Sequence, residues 1–154
     1  MPKSEKIYIW IARILAVLFL LAFAALMLIL PSVIRNFCSV PDLVGNHNSE
    51  EAYRFVVVCA YLAVLGGMAA MVILLRLLSL VEAGRVFGKP SLTAILAIAI
   101  CCLAEVIIFL CISYYFQVAV AVALAIGVLA LCLLVVRSVI AEAARIKAEN
   151  DLTV

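Results

Sequence analysis

Four long apolar runs account for most of the chain, and of the polar segments between them only residues 31–54 are long. Each run reaches the roughly 20 apolar residues that a helix needs to cross a hydrocarbon core. The predicted crossings are residues 7–30, 55–80, 92–113 and 118–136. Pro31 is expected to stop the first helix, because proline removes a helical hydrogen bond. Beyond the fourth crossing the chain is polar but keeps a helical pattern, which predicts a cytoplasmic C-terminal helix over residues 137–149.

The composition indicates that lipid, and not water, surrounds most of the chain. Of 154 residues, 70% are hydrophobic and 13% are charged, and the mean hydropathy is +1.38. A globular domain averages roughly 45–50% apolar and 25% charged residues. The expected fold class is therefore all-α, an integral membrane four-helix bundle in which residues 1–154 form one domain. The net charge of +2 is too small to indicate contact with nucleic acid.

The first apolar run has a rival interpretation as a cleaved signal peptide. The segment Ala22-Phe23-Ala24 resembles a cleavage site. The apolar run continues well beyond it, however, whereas the apolar region of a signal peptide spans only about 7–15 residues. A retained helix is therefore favoured.

Basic residues predict the orientation of the four crossings. If the N-terminus is inside, nine Lys and Arg residues lie at the inner face and two, Arg35 and Arg54, lie outside. Cytoplasmic loops of membrane proteins carry an excess of Lys and Arg. Both termini are therefore expected in the cytoplasm. The inner residues are Lys3, Lys6, Arg13, Arg76, Arg85, Lys89, Arg137, Arg145 and Lys147.

Small residues predict where helices approach one another closely. In the second crossing, Ala63 with Gly67 and Gly66 with Ala70 form pairs of small residues four positions apart. The fourth crossing repeats this pattern with Ala119, Ala123 and Gly127. Ordinary packing within the chain is preferred to a dedicated dimer motif, and a homo-oligomer remains compatible with the pattern. In the loop between the second and third crossings, Gly84 is expected to cap one helix and Ser91 to begin the next.

Glu105 is the one charge well inside a crossing. It follows Leu92 by thirteen residues, which at about 1.5 Å per residue puts it roughly 20 Å from the inner boundary, just past the centre of the membrane. A carboxylate at that depth costs about 2.5–3.5 kcal/mol, so it should face protein or water, or be protonated. One interpretation is an ion or proton site. The other is a structural carboxyl group bonded to a backbone carbonyl or to Tyr61.

The sequence contains no pattern that indicates an enzyme. His47 is the single histidine, and no second histidine or cysteine stands at ligand spacing from it. There is no nucleophile beside a base and no glycine-rich phosphate loop after a strand. Five of the six cysteines lie inside apolar runs, where cysteine packs as a small hydrophobic residue. We therefore expect no catalytic residues, no cofactor and no metal site.

The loop Gly84-Arg85-Val86-Phe87 and the tail, residues 148–154, each resemble segments of a bacterial membrane family known as domain of unknown function 2975. The loop sequence Gly84-Arg85-Val86-Phe87, with Ser91 and Ile95 beyond it, resembles the hairpin signature of that family, from which it departs at Gly88 and Ser91. The tail, residues 148–154, resembles the family's E-N-D-L-T-(V/I) ending. The resemblance implies a bacterial inner membrane location and, often, a neighbouring gene for a small helix-turn-helix regulator. It supplies no catalytic residues.

The expected function is that of a regulatory or protein-interaction protein of the inner membrane. Its inner loop and C-terminal tail would engage a cytoplasmic protein such as a helix-turn-helix regulator, while the lipid bilayer surrounds the bundle. The alternative is a small transporter or channel subunit that uses Glu105. A transporter needs a wet, polar-lined cavity that reaches Glu105, whereas an interaction protein can have a dry core. The candidate functional residues are Glu105, Gly84, Phe87, Glu149, Asn150, Asp151, Leu152 and Thr153.

Overall fold

Four long helices form the protein in a computed structural model. It describes residues 3–38, 49–84 and 88–151, with side chains in 7–36, 50–84 and 88–149. The helices are α1 (Lys3–Cys38), α2 (Ser49–Glu82), α3 (Lys89–Ile112) and α4 (Val118–Asp151). Of the described residues, 94% are helical and none lies in a β-strand. The predicted all-α four-helix bundle is confirmed. Each helix is long and apolar enough to cross a membrane, which makes the chain a multi-pass membrane protein.

Consecutive helices run antiparallel, and each packs against the next one along the chain. At one end of the bundle, Arg13 near the start of α1 meets Glu82 at the end of α2. At the opposite end, the Arg35 guanidinium carbon lies 5.8 Å from the centre of the Tyr53 ring. We call the first the terminal end, because α1 begins and α4 ends there, and the second the far end. Among the described residues, α1 and α4 form no interface comparable to the three between consecutive helices.

The apolar residues fall into two groups, those exposed on the outside of the bundle and those buried between helices. Many large apolar side chains are exposed, and Leu28 reaches 84%. Soluble proteins rarely expose apolar patches of more than a few hundred Å², so these side chains face lipid. The buried residues form two clusters. The cluster at the far end contains Leu30, Ile34, Ala52, Val56, Val64, Ile112 and Ala119. The cluster nearer the terminal end contains Ile98, Cys102 and Ala130.

The prediction that Pro31 stops the first helix is wrong. Helix α1 continues through Pro31 to Cys38. Leu30 and Ile34, on either side of the proline, are buried in the far-end cluster. Their packing against α2 stabilises the extra turns and offsets the lost hydrogen bond. Membrane helices tolerate proline where neighbouring groups satisfy the freed backbone.

The turn after α2 follows the prediction at Gly84 but not at Ser91. Gly84 has a φ of +71°, a left-handed conformation that favours glycine, and its N–H donates to the Val81 carbonyl at 3.0 Å. The residue that precedes α3 is Gly88, not Ser91. Pro90 stands in the first turn of α3, where proline's missing N–H costs no hydrogen bond. This earlier start places Ser91 inside the helix, where it is buried.

Helix α4 is a single unbroken helix of 34 residues. At 1.5 Å per residue it is about 51 Å long, which exceeds the roughly 30 Å of a hydrocarbon core. Its first half packs on α3 through small residues, and Ala119, Ala123 and Ala130 are buried. The predicted continuation of the fourth crossing into a helical extension is therefore confirmed.

Candidate functional site

Glu105 faces the interior of the bundle. Its side chain lies on α3 between the two core clusters, and the residue is only 9% exposed. Cys102 on one side of it belongs to the cluster nearer the terminal end, and Ile112 on the other side belongs to the far-end cluster. The sequence predicted a carboxyl group that faces protein or water, and the structure places it against protein.

A cleft of about 360 Å³ lies beside Glu105, and all four helices contribute to its walls. Phe23 comes from α1, Gly66 and Gly67 from α2, and Ile126 from α4. Among the described residues that line the cleft, Glu105 is the only charged one, and nearly all of the lining surface is apolar. This lining lacks the polar groups that a wet pathway to Glu105 would need. We call it the Glu105 cleft.

Two adjacent glycines of α2 make room for this arrangement. A Cβ atom on Gly66 would collide with Oε1 of Glu105 and would lie 3.2 Å from its Cδ. A Cβ atom on Gly67 would lie 3.0 Å from Cζ of Phe23. Gly66 therefore accommodates the carboxyl group from α3, and Gly67 accommodates the ring from α1. The small residues predicted for close packing serve contacts within this chain.

One carboxyl oxygen of Glu105 lacks a hydrogen bond. Its Oε1 atom is buried and has no partner among the described residues. The hydroxyl group of Tyr61, a partner considered from the sequence, donates to the backbone carbonyl of Met27 at 3.4 Å. A buried polar group without a partner costs about 1–3 kcal/mol. The carboxyl group is thus held at an energetic cost that the described part of the chain does not offset.

Arg13, the charge nearest the start of α1, makes an ion pair that the sequence argument did not identify. Its Nη2 atom lies 2.8 Å from Oε2 of Glu82 and donates to Oγ of Ser79 at 3.3 Å. The sequence predicted only that Arg13 reaches the near surface. Arg13 and Glu82 lie at similar depths in the membrane on two antiparallel helices. This similarity in depth is the signal in the sequence that could have indicated the ion pair.

Four of the candidate residues outside the cleft, Gly84, Glu149, Asn150 and Asp151, lie at the terminal end of the bundle. Gly84 lies in the turn after α2, while Phe87, Leu152 and Thr153 lie outside the described residues. Glu149 is exposed on α4, and its Oε1 atom lies 3.7 Å from Nε of Arg145. The backbone of Asn150 and Asp151 is helical. Neither Gly84 nor Glu149 lines the Glu105 cleft.

The sequence identifies Glu105 but not the residues that surround it. Gly66 and Gly67 were identified as packing residues, but the pattern of small residues does not say which side chain enters the space they leave. Phe23 was considered only as part of a cleavage-site resemblance. The His47 position lies outside the described residues, and within those residues no group of three His, Cys, Asp or Glu side chains could hold a metal ion.

Comparison with known proteins gives a family for most of the chain. No curated protein and no solved structure matches it. A family model described as Protein of unknown function (DUF2975) matches residues 38–154. The matched region contains α2, α3 and α4, and therefore both Gly66 and Glu105. The chain belongs to this family, as its loop and tail motifs predicted.

Proposed function

We propose that this protein is a regulatory or interaction protein of the bacterial inner membrane, without enzymatic activity of its own. The final turns of α4 would engage a cytoplasmic protein. The observation that carries this proposal is the length of α4, which continues unbroken to Asp151. About 14 of its residues exceed what a hydrocarbon core of roughly 30 Å can hold.

The exposed side chains of this extension support contact with another protein. Val139 is 63% exposed and Ile146 is 50% exposed, and together with Ala143 they form an apolar stripe on one face. Beside the stripe, Nη2 of Arg145 lies 2.7 Å from Oε1 of Glu142. An apolar stripe flanked by charges is the pattern by which a helix docks into a groove of a partner.

The charge balance of the extension favours a protein partner over the membrane surface. Helices that lie in the membrane interface carry many Lys and Arg residues opposite large apolar side chains. Between Arg137 and Asp151 the extension has three basic and three acidic residues, and it contains no Trp, Phe or Leu. Such a helix gains little from lipid headgroups. A small cytoplasmic regulator of the helix-turn-helix class is the partner that we propose.

The cytoplasmic location of the extension rests on the nine-to-two asymmetry of basic residues. A reporter fused after Val154 is expected to be cytoplasmic, and one inserted near Asn46 is expected to be external. Labelling of Cys38 by a membrane-impermeant thiol reagent from the cytoplasmic side alone would contradict this orientation.

Site-specific photo-crosslinking in intact cells tests the interaction itself. A photoreactive amino acid at Ile146, on the apolar stripe, is expected to capture a soluble cytoplasmic protein that mass spectrometry can identify. Ala148 is the matched control, because it is exposed on the same turn but points about 200° away. The same products at both positions, or products with lipid alone, would show that the stripe has no specific partner.

A paired substitution then tests whether the stripe is needed. Ile146→Asp places a carboxylate on the stripe and should abolish the captured product from a photoreactive residue at position 139. Ala148→Asp adds the same charge to the other face and should leave that product unchanged. Both variants should accumulate in the membrane at the normal level, because the extension contributes little to the buried core.

The apolar lining of the Glu105 cleft supports this proposal over ion transport. A transport pathway requires polar groups along its length, and the described lining offers a single carboxyl group. Glu105→Gln keeps the size of the side chain and can still donate a hydrogen bond. We therefore expect this variant to leave proton flux in reconstituted vesicles unchanged. A pH-dependent flux in the unmodified protein that the Gln variant abolishes would favour a transporter instead.

A further inference from the structure

The Glu105 cleft combines a buried carboxyl group with unfilled space. The residue is nine-tenths buried, its Oε1 atom has no hydrogen-bond partner among the described residues, and about 360 Å³ of space adjoins it. Binding pockets for small molecules have volumes of roughly 300–1,000 Å³ and combine apolar walls with a few polar groups. The cleft lies at the lower end of this range and has one polar group.

The described part of the chain provides no counter-charge for this carboxyl group. Arg13 is paired with Glu82 near the terminal end. Gly66 marks the depth of Glu105 on α2, and Arg76 is exposed about 2.8 helical turns from Gly66. The hydroxyl group of Tyr61 is directed to Met27. A donor for Glu105 must therefore come from outside the described residues.

The walls of the cleft indicate what kind of molecule could bring that donor. Phe23 and Phe109 present aromatic rings, and the other walls are aliphatic or sulfur-containing. An apolar body suits such walls, and a cation suits both the aromatic faces and a carboxylate. A protonated amine also supplies the N–H group that Oε1 lacks.

The gap between α1 and α4 offers a route from the lipid to the cleft. The three close interfaces are those between consecutive helices, and α1 and α4 form none of comparable extent among the described residues. Phe23 from α1 and Leu129 from α4 both line the cleft, and Leu129 is 53% exposed. A molecule dissolved in the bilayer can reach Glu105 between these two helices without crossing a polar region.

We propose that the Glu105 cleft binds a lipophilic amine, a molecule with one protonated amine on an apolar body, whose N–H group donates to the Glu105 carboxylate. Gly66 is a positioning residue for this site, because a side chain there would displace the carboxyl group. The inference concerns binding alone and does not depend on whether α4 engages a partner.

Equilibrium binding to the full chain tests the proposal. The protein is placed in nanodiscs of zwitterionic lipid, which carry no net charge to attract cations, and titrated with radiolabelled dimethyldodecylamine. Protein-free nanodiscs give the background from partition into lipid. We expect saturable binding of one amine per chain. Dodecanol, a neutral molecule with the same apolar chain, should not compete.

Three variants locate the site. Glu105→Gln keeps the volume but removes the charge and should weaken binding about tenfold or more, since a charge-assisted hydrogen bond is lost. Gly66→Ala should also weaken binding, by displacing the carboxyl group. Glu82→Gln is the matched control, because it removes a carboxylate that lies at the terminal end, and it should bind the amine with unchanged affinity.

The proposal is overturned by any of three results. The first is no saturable binding above protein-free nanodiscs. The second is equal affinity in Glu105→Gln, which would place the amine elsewhere. The third is equal competition by dodecanol, which would show that the cleft is a groove for lipid chains. The dodecanol comparison uses the unmodified protein, so it decides the question even if the Gln variant does not accumulate.

Discussion

Two charged side chains within the membrane-crossing helices have opposite surroundings. Arg13, near the terminal end, keeps 38% of its side chain exposed and is paired with Glu82 and Ser79. Glu105, in the second half of α3, is buried, and one of its oxygens has no partner among the described residues. At Arg13 the chain satisfies a charge with its own residues. At Glu105 the chain leaves a buried polar atom without a hydrogen bond beside open space. A role in packing therefore does not explain why a carboxyl group stands at this position.

The largest effect on stability is expected from a side chain that fills the cleft. Gly67→Leu should lower the free energy of unfolding by about 1–3 kcal/mol, because the new side chain must displace the Phe23 ring. Thermal unfolding in detergent measures the effect. Ala69→Leu is the matched control, since Ala69 is exposed on the other face of α2 and should tolerate leucine. Equal stability of both variants would show that Gly67 does not face Phe23 in the folded protein.

Removing the unsatisfied oxygen of Glu105 should have the opposite effect and stabilise the protein. Glu105→Leu is expected to raise the free energy of unfolding of the ligand-free protein by about 1–2 kcal/mol, because it removes a buried acceptor that has no donor. Leucine is shorter than glutamate and fits beside Gly66. A lower unfolding temperature in the same detergent would mean that Glu105 has a stabilising partner in the native protein.

A double-mutant cycle tests the contact between Gly66 and Glu105. Gly66→Ala alone should destabilise the bundle by about 1 kcal/mol, since its Cβ atom displaces the end of a flexible side chain. In a Glu105→Ala background the same change should cost less, because no carboxyl group remains to be displaced. Denaturant titration of the four proteins gives the coupling free energy. A coupling free energy near zero would show that the two residues do not interact.

The smallest effect is expected at the terminal end. Arg13→Gln should change stability by about 0–1 kcal/mol, the usual range for an exposed ion pair. The difference from the unmodified protein should shrink as salt is added, because salt screens exposed charges. A loss of stability larger than that of Gly67→Leu would contradict this prediction. It would show that the ion pair at the terminal end contributes more to stability than packing around the cleft.

Much of the fold follows from the sequence because lipid imposes strong rules on single helices. Apolar length predicted the four crossings, and the restriction of left-handed backbone to glycine predicted the turn at Gly84. The pairing between helices is harder to predict. The ion pair of Arg13 and the contact of Gly66 with Glu105 depend on the register of neighbouring helices, which no local pattern encodes. Pro31 was misjudged for the same reason, since packing by Leu30 and Ile34 outweighs its local preference.

The candidate site was predictable in part. A carboxyl group in the middle of an apolar run is conspicuous in any sequence, so Glu105 was identified at once. The cleft beside it results from two glycines on α2, a ring on α1 and the gap between two core clusters. Each of these is an ordinary feature by itself. Their combination at one depth requires the three-dimensional arrangement of all four helices.

The unbroken course of α4 has a mechanical consequence. Ile126 lines the cleft and Glu149 lies near the end of the extension, about 34 Å away along one rigid rod. A tilt of α4 by about 5° about its cleft segment would carry the tip sideways by about 3 Å over that length. If α4 tilts as one body, a small change in the width of the cleft would become a larger displacement at its tip, where the proposed partner would bind.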